Sequence, residues 1–355
     1  MADKKFKFDV VIGNPPYQEE STGESTQTPP IYHMFMEEAY KIASRVSFIT
    51  PARFLHNAGA TPKAWNTKML DDEHLKVVYY EQDSSKVFSN TAIIGGVAVT
   101  YRDSEARYGA IRTFTAFQEL NSILNKVTVK NSDGESLSSI FYNRGAYRYT
   151  EKFDADYPGV RAKSQGNSEY RVQTSAFVKF NYIFFDENPN DSTEYVQLLG
   201  LINNKRAYKW VCRDYISEHE SLSKYKVFIS KSNGASGTLI NDGAARMIST
   251  PVIGFPFIGS TETFLTIGAF YSEEEANALL KYICSKFARV LLGVLKVTQD
   301  NTSEKWKYVP LQDFTPVSDI DWTKPVSDID RQLYKKYGLD EAEIEFIETH
   351  VKEMA

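Results

Sequence analysis

Asn14, Pro15, Pro16 and Tyr17 follow one another directly after the apolar run Phe8-Asp9-Val10-Val11-Ile12-Gly13. The combination sets two hydrogen-bond acceptors side by side, the Asn14 side-chain oxygen and the Pro15 carbonyl. Adjacent prolines stiffen the turn and remove two backbone donors, which leaves that carbonyl available. Two such acceptors can grip both hydrogens of an amine. An amine conjugated to a nucleobase ring is a poor nucleophile because its lone pair is delocalised; gripping its hydrogens localises the pair and aims it at an electrophilic methyl group. Tyr17 adds a ring on which an extruded base can stack. An isolated Asn-Pro is ordinarily a turn. The strand before it and the aromatic after it favour the amine site.

The elements around these residues must hold them in place. Phe8 to Gly13 is a short apolar run ended by Gly and Pro, which reads as a buried strand. Its carboxyl end is where open α/β sheets hold their ligands. A polar segment from Gln18 to Pro30 leads into helical spacing over 31–40, a strand over 46–50, a helix over 63–70 and strands over 77–80 and 95–101. Strands alternating with helices predict a parallel sheet with flanking helices. A helical connector follows over 113–130, and the loop Asn131 to Ser136 reads as an exposed boundary. Two domains are therefore expected, 1–130 and 131–355, the second built of aromatic-rich short strands. Val-Ser-Asp-Ile-Asp recurs at 317–321 and 326–330 and reads as two helix-capping turns; Glu341 to Met354 reads as an acidic helix with a solvated face.

Composition narrows the classes. A chain of 355 residues can bury two cores, and a formal charge of −5 gives no global basic footprint, so any nucleic-acid surface must be local. No apolar run approaches the roughly 20 residues of a membrane span, and Met-Ala-Asp-Lys-Lys has no signal-peptide core. A cytoplasmic location is the expectation. Cys212 and Cys284 stand far apart, and the five histidines never fall at metal-ligand spacing, so a metal site, a disulfide scaffold and Cys/His catalysis are not expected.

With these residues in view, Phe8 to Tyr17 resembles motif IV of the gamma-class adenine DNA methyltransferases, a group that includes type IIG restriction-modification enzymes. Ser47-Phe48-Ile49-Thr50-Pro51-Ala52-Arg53-Phe54 resembles the strand that comes next there. Lys86-Val87-Phe88-Ser89 resembles motif VIII, whose Phe packs on the other face of the flipped base; a core Phe anchoring a hairpin is the competing explanation of Phe88. Asn301 to Phe314 resembles the end of the target-recognition domain. Motif IV alone is highly specific. The resemblance implies an α/β fold: the C-terminal half of a Rossmann-like methyltransferase sheet followed by a mixed α+β target-recognition domain. It implies Asn14, Pro15, Pro16 and Tyr17 as catalytic residues, Tyr17 and Phe88 as stacking residues, and S-adenosylmethionine as methyl donor. Cytosine stays open as the base, because an acceptor pair does not distinguish amines.

In that family the aromatic-x-Gly-x-Gly donor loop lies upstream of the tetrapeptide, and thirteen residues precede Asn14. Phe255 to Thr263 is the one segment to weigh as a displaced donor loop; it is rejected because Thr261 stands where a second glycine is needed and a strand continues after it. The expectation is therefore the C-terminal part of a split or truncated enzyme. Its first strand then forms an apolar edge, covered by a second polypeptide carrying the donor-binding half or by a second copy.

Double-stranded DNA is the expected partner, and basic residues beside aromatics and amides are the candidate contacts: Arg144 and Arg148, Lys205 and Arg206, Lys226 and Lys231, and Lys296 and Lys305 near Arg289 and Lys307. Ordinary solvated faces are the competing explanation for each. Two rival functions are a non-catalytic DNA-binding specificity module and a nuclease subunit, the latter without a spaced Asp…Glu-x-Lys site to support it.

Overall fold

The computed structural model describes residues 7–19, 28–57, 60–89, 93, 95–142, 144–158, 170–233, 239, 243–296 and 300–354. The chain divides into two compact units, Met1–Asn121 and Ser122–Ala355. The division falls inside a helix, α3 (Gln118–Lys130), and not in the loop after it.

In the first unit β1 (Phe8–Gly13) leads through α1 (Tyr32–Ile42) to β2 (Ala43–Pro51), and α2 (Lys63–Leu70) to β3 (Leu75–Glu81) and β4 (Val97–Asp103). The spacing of Tyr32, Met36 and Ala39 gives α1 one apolar stripe, which packs with Val46 and Phe48 of β2. Trp65 and Met69 of α2 join the same core beside Phe54.

The sheet runs β1-β2-β4-β3. Only β1 and β2 are parallel, with Val11 beside Val46 and Gly13 beside Phe48. β4 is antiparallel to both neighbours, which corrects the expected all-parallel sheet. The physical reason is local: among the described residues between β3 and β4 there is only a single 3-10 turn, Ser84–Lys86, so consecutive strands pair as a hairpin rather than through a helical crossover. Gly96 makes the return possible. Its φ is +77°, and a Cβ there would lie 2.3 Å from the Glu81 carbonyl oxygen.

β1 is the sheet's edge. Phe8, Val10 and Ile12 stand on one face and are 46%, 49% and 77% exposed, so the strand whose composition reads as buried is open here. Its composition suits a strand with neighbours on both sides, and β2 supplies one.

The second unit holds α4 (Glu151–Asp156), α5 (Ala176–Lys179), β5 (Tyr195–Ile202), β6 (Lys205–Cys212), β7 (Tyr225–Ser230), β8 (Val252–Gly254), β9 (Ile258–Ser260), β10 (Phe264–Phe270), α6 (Glu273–Cys284), α7 (Lys286–Leu295), α8 (Val326–Tyr337) and α9 (Glu341–His350). Its sheets are β10-β7-β8 and β6-β5-β9, in which β5 and β9 are parallel and the other pairs antiparallel. Tyr147, Phe153, Phe180 and Phe228 form an aromatic core with Leu198 of β5. The molecule is thus a mixed α/β protein with mixed sheets, and none of the sheets closes into a barrel among the described residues.

Ser272 and Ser285 cap α6 and α7 through their side chains. Asp330 adds a second cap to α7, accepting from the amides of Lys286 and Phe287 at 3.0 and 2.9 Å. This corrects the reading of the repeated pentapeptide as two capping turns: the copy at 326–330 is the first part of α8, with Pro325 as its N-cap, and its Asp330 caps another helix. α9 is likewise not a solvated helix. Glu343, Phe346, Ile347 and Val351 are buried, and Lys126 of α3 reaches Glu343 at 2.7 Å and Asp340 at 3.0 Å. Its acidic residues mask an apolar stripe too short to stand out from composition. Among the described residues no helix is long and apolar enough to cross a membrane.

Candidate active site

The parallel pair β1 and β2 brings two carboxyl-terminal ends together, so Asn14 to Tyr17 and Pro51 to Arg53 leave the sheet on the same side. Open α/β sheets hold ligands at such ends. Beyond the tetrapeptide the chain is pinned back on itself. Tyr17 accepts from the Ile31 amide at 3.1 Å, the Glu19 amide donates to Pro29 at 3.0 Å, and Gln18 bridges Pro30. Tyr17 therefore sits at the foot of α1. Asn14 and Pro16 are exposed, Pro15 is buried and Tyr17 is half-buried. The Asn14 side chain and the Pro15 carbonyl accept no hydrogen bond from another described residue, so both retain their acceptor capacity.

Phe88 comes to Tyr17, with ring centroids 6.3 Å apart and planes at 67°. The two residues picked out for stacking thus meet edge to face. A base between parallel rings needs twice a van der Waals separation, about 7 Å, so the pair as it stands is closed and one ring must turn to admit a base. The loop carrying Phe88 is well tied: the amides of Val87 and Phe88 both donate to Ser84 O, at 3.0 and 2.8 Å, and the Ile93 amide donates to Ser84 Oγ at 2.7 Å.

A cavity of about 340 Å³ adjoins Tyr17, bordered by Thr28, Tyr32, Pro51, Arg53 and Thr61 among others. This is the small end of the range for ligand pockets, and a mostly apolar wall with a few polar groups is their usual character. Tyr17 Oη and Thr28 Oγ1 are buried without a hydrogen-bond partner among the described residues. Burial raises the Tyr17 phenol above its ordinary value and pushes Tyr32 up to about 12, against the opposing influence of the Thr61 hydroxyl and the Arg53 charge. Thr61 Oγ1 donates to Asn66 Oδ1 at 2.7 Å, and Asn66 Nδ2 to Asn57 Oδ1 at 3.3 Å, which fixes that wall. Apart from Tyr17, sequence reasoning gave the cavity residues no role; Pro51 and Arg53 fell within the segment after motif IV without one.

The candidate DNA contacts separate into two groups. Arg144, Arg148, Lys205 and Arg206 are exposed, and Lys231 and Lys305 partly so. Arg144 is neutralised by Glu262 at 3.0 Å. Lys226 and Lys296 are buried, which corrects their assignment as phosphate contacts. Lys226 lies on β7, the central strand of its sheet, and its Nζ donates to the carbonyls of Leu222, Lys224 and Phe255 at 3.1, 2.9 and 3.0 Å; burial lowers its pKa to about 7. Lys296 Nζ lies 3.4 Å from Asp300 O, and burial brings it down to about 8. Arg289 of the same presumed cluster is also buried, donating to the carbonyls of Cys284, Ser285 and Arg246. Such lysines and arginines are spent on backbone carbonyls and cannot reach a phosphate.

Phe255 to Thr263, weighed as a donor loop, contains Phe257 at φ +62° and the short strand β9, and β10 begins at Phe264. It opens no helix, so the described residues there do not fit S-adenosylmethionine.

Residues 2–88 match the model of the Eco57I restriction-modification methylase family. Among solved structures, the chain is similar to the type IIG restriction endonuclease BpuSI, at 11% identity and a TM-score of 0.31, over 90% of this chain and 48% of that one. The chain thus spans about half the length of that enzyme. No curated protein matches.

Proposed function

We propose that this chain carries the amine-gripping and DNA-reading part of a restriction-modification DNA methyltransferase acting on the exocyclic amine of adenine. The observation that carries this reading is Asn14-Pro15-Pro16-Tyr17 at the carboxyl end of β1, with both acceptors unoccupied by any described residue and Phe88 against Tyr17. Cytosine is the alternative base. The Eco57I-type match over residues 2–88 supports the class.

In this reading the flipped base lies beside Tyr17 once the Tyr17–Phe88 contact opens, stacking on one or both rings. Its amine donates one hydrogen to Asn14 Oδ1 and one to Pro15 O. The nitrogen lone pair, no longer shared with the ring, then points away from the two acceptors. As the nitrogen forms its new bond it gains positive charge, which the same two oxygens stabilise more strongly than the neutral amine.

Methylases in general use S-adenosylmethionine, and Phe255 to Thr263 does not fit it. β1 has one strand neighbour among the described residues, and this open edge supports a second polypeptide that carries the donor-binding half, or a second copy of this chain, adding to it. The test is calorimetric titration of S-adenosylmethionine into the purified chain, followed by light scattering. No heat, and association through β1, is the expected result. Tight donor binding by a monomer would overturn the partner, and leave the amine site to be tested separately.

A non-catalytic specificity module is the second reading, favoured by the strand structure of Phe255 to Thr263. Sequence-selective DNA binding with no methyl transfer under any donor supply would decide for it.

A further inference from the structure

The β5–β6 hairpin ends in a feature that the base-amine site does not use. Asn203 and Asn204 join the strands with φ of +50° and +60°, a type I′ turn that asparagine tolerates. β9 pairs with β5 only from Gln197 to Leu199. Past that point Gly200, Leu201 and Ile202 pair with Ala207, Arg206 and Lys205 alone, but Gly200 lies against Phe177 and Leu201, Ile202 and Ala207 pack on the aromatic core, so only the turn and its flanking Lys205 and Arg206 stand out.

Its tip is polar and positive. Asn203, Asn204, Lys205 and Arg206 are all exposed. Arg246 is exposed beside them: Arg206 donates to the Thr250 carbonyl, and Arg246 Nη2 to Thr250 Oγ1 at 2.5 Å. Among the described residues no carboxylate forms an ion pair with Lys205, Arg206 or Arg246, whereas Lys209, Arg213 and Arg144 are each paired with one, Asp186, Glu218 and Glu262. In a chain of net charge −5 this is a local concentration of positive charge without counter-charge.

We infer that this hairpin tip enters the major groove of duplex DNA, with Lys205, Arg206 and Arg246 on backbone phosphates and the Asn203 and Asn204 amides at base edges. The inference rests on the reading of the chain as DNA-acting. The B-form major groove admits a two-stranded β-ribbon, and the exposed turn with Lys205 and Arg206 is the part of the hairpin that can meet it. An asparagine amide matches the paired donor and acceptor of adenine in that groove. Duplex RNA is disfavoured because its major groove is too narrow to enter. The turn conformation suits asparagine, which stands at both positions, and glycine alike, so the amides can be removed without changing the turn.

The test is fluorescence anisotropy of labelled duplex DNA with the full chain across about 50 to 200 mM salt. The slope of log affinity against log salt falls by about 0.9 for each phosphate contact removed. Lys205→Ala, whose side chain makes no bond to a described residue, is expected to lower it by about one, and the combination Lys205→Ala, Arg206→Ala, Arg246→Ala by about three, with on the order of 10²-fold weaker binding. Asn203→Gly with Asn204→Gly is expected to leave the slope unchanged while relaxing the sequence enriched from a random duplex pool. Wild-type binding with slopes unmoved in both charge variants overturns the hairpin assignment and leaves the DNA reading standing. Equal preference for duplex RNA overturns groove entry. Failure of the wild-type chain to bind any duplex overturns the DNA reading itself, and this inference with it.

Discussion

Replacing Tyr17 by Phe removes one oxygen, and the structure fixes the sign of the effect. Tyr17 Oη is buried and has no hydrogen-bond partner among the described residues. A buried hydroxyl left unpaired costs about 1–3 kcal/mol. Losing the oxygen gives up only a few van der Waals contacts, at about 0.1–0.2 kcal/mol each. Tyr17→Phe is therefore expected to stabilise the first unit by about 1 kcal/mol, roughly 4 °C in Tm for a unit of this size. Burial also holds the phenol above its ordinary pKa, so it is neutral near pH 7 and no charge is lost. Urea unfolding followed by hydrogen exchange at the amides of β2 measures the change. The stacking face survives in Tyr17→Phe and is lost in Tyr17→Ala. Quenching of 2-aminopurine deoxynucleoside should therefore be kept in the first and weakened by about 1–3 kcal/mol in the second. A Phe variant less stable than wild type by 1 kcal/mol or more would refute the reasoning, because the hydroxyl would then have a partner.

Three further outcomes follow from the same structure. Gly96→Ala places a Cβ 2.3 Å from Glu81 O at a φ of +77° and is expected to cost about 3 kcal/mol or more, read by urea unfolding, with loosening of the loop that holds Phe88. Lys226, with its folded pKa lowered to about 7 from 10.5, makes the unfolded chain the better proton binder between those values, so its unfavourable contribution fades as pH rises. Relative to Lys226→Met, wild type should gain up to about 1.4 kcal/mol per pH unit from 7 to 9, and parallel pH curves would contradict this. Ile12→Asp, at a position 77% exposed, should change the stability of the isolated chain by less than about 0.5 kcal/mol while abolishing association through β1 in light scattering.

The parts of the molecule legible in the sequence are those set by local pattern. The helix expected at 63–70 is α2, and the strand-then-tetrapeptide arrangement at Phe8 to Tyr17 appears as expected, because turn chemistry and short apolar runs act within a few residues. Strand direction was not legible. Whether β4 joins β3 as a hairpin depends on a loop whose closure is enabled by Gly96 packed against Glu81, a contact no periodicity reveals. The basic residues misled for a related reason: Lys226 and Arg289 look like surface charge in a list of residue types, but their strand and helix faces turn them onto backbone carbonyls. The cavity beside Tyr17 escaped notice because Thr28, Tyr32, Arg53 and Thr61 come from separate segments and share no spacing.

The most direct test of the base-amine site is the chemistry of cellular DNA. The gene, in its native genomic setting, is moved into a host that lacks DNA methylation, and digested DNA is analysed by mass spectrometry for methylated bases. Methylated adenine amine with the wild-type protein, and none with Asn14→Ala, is the expected result. No methylated amine with the wild type, or methylation that persists in Asn14→Ala, would contradict the site.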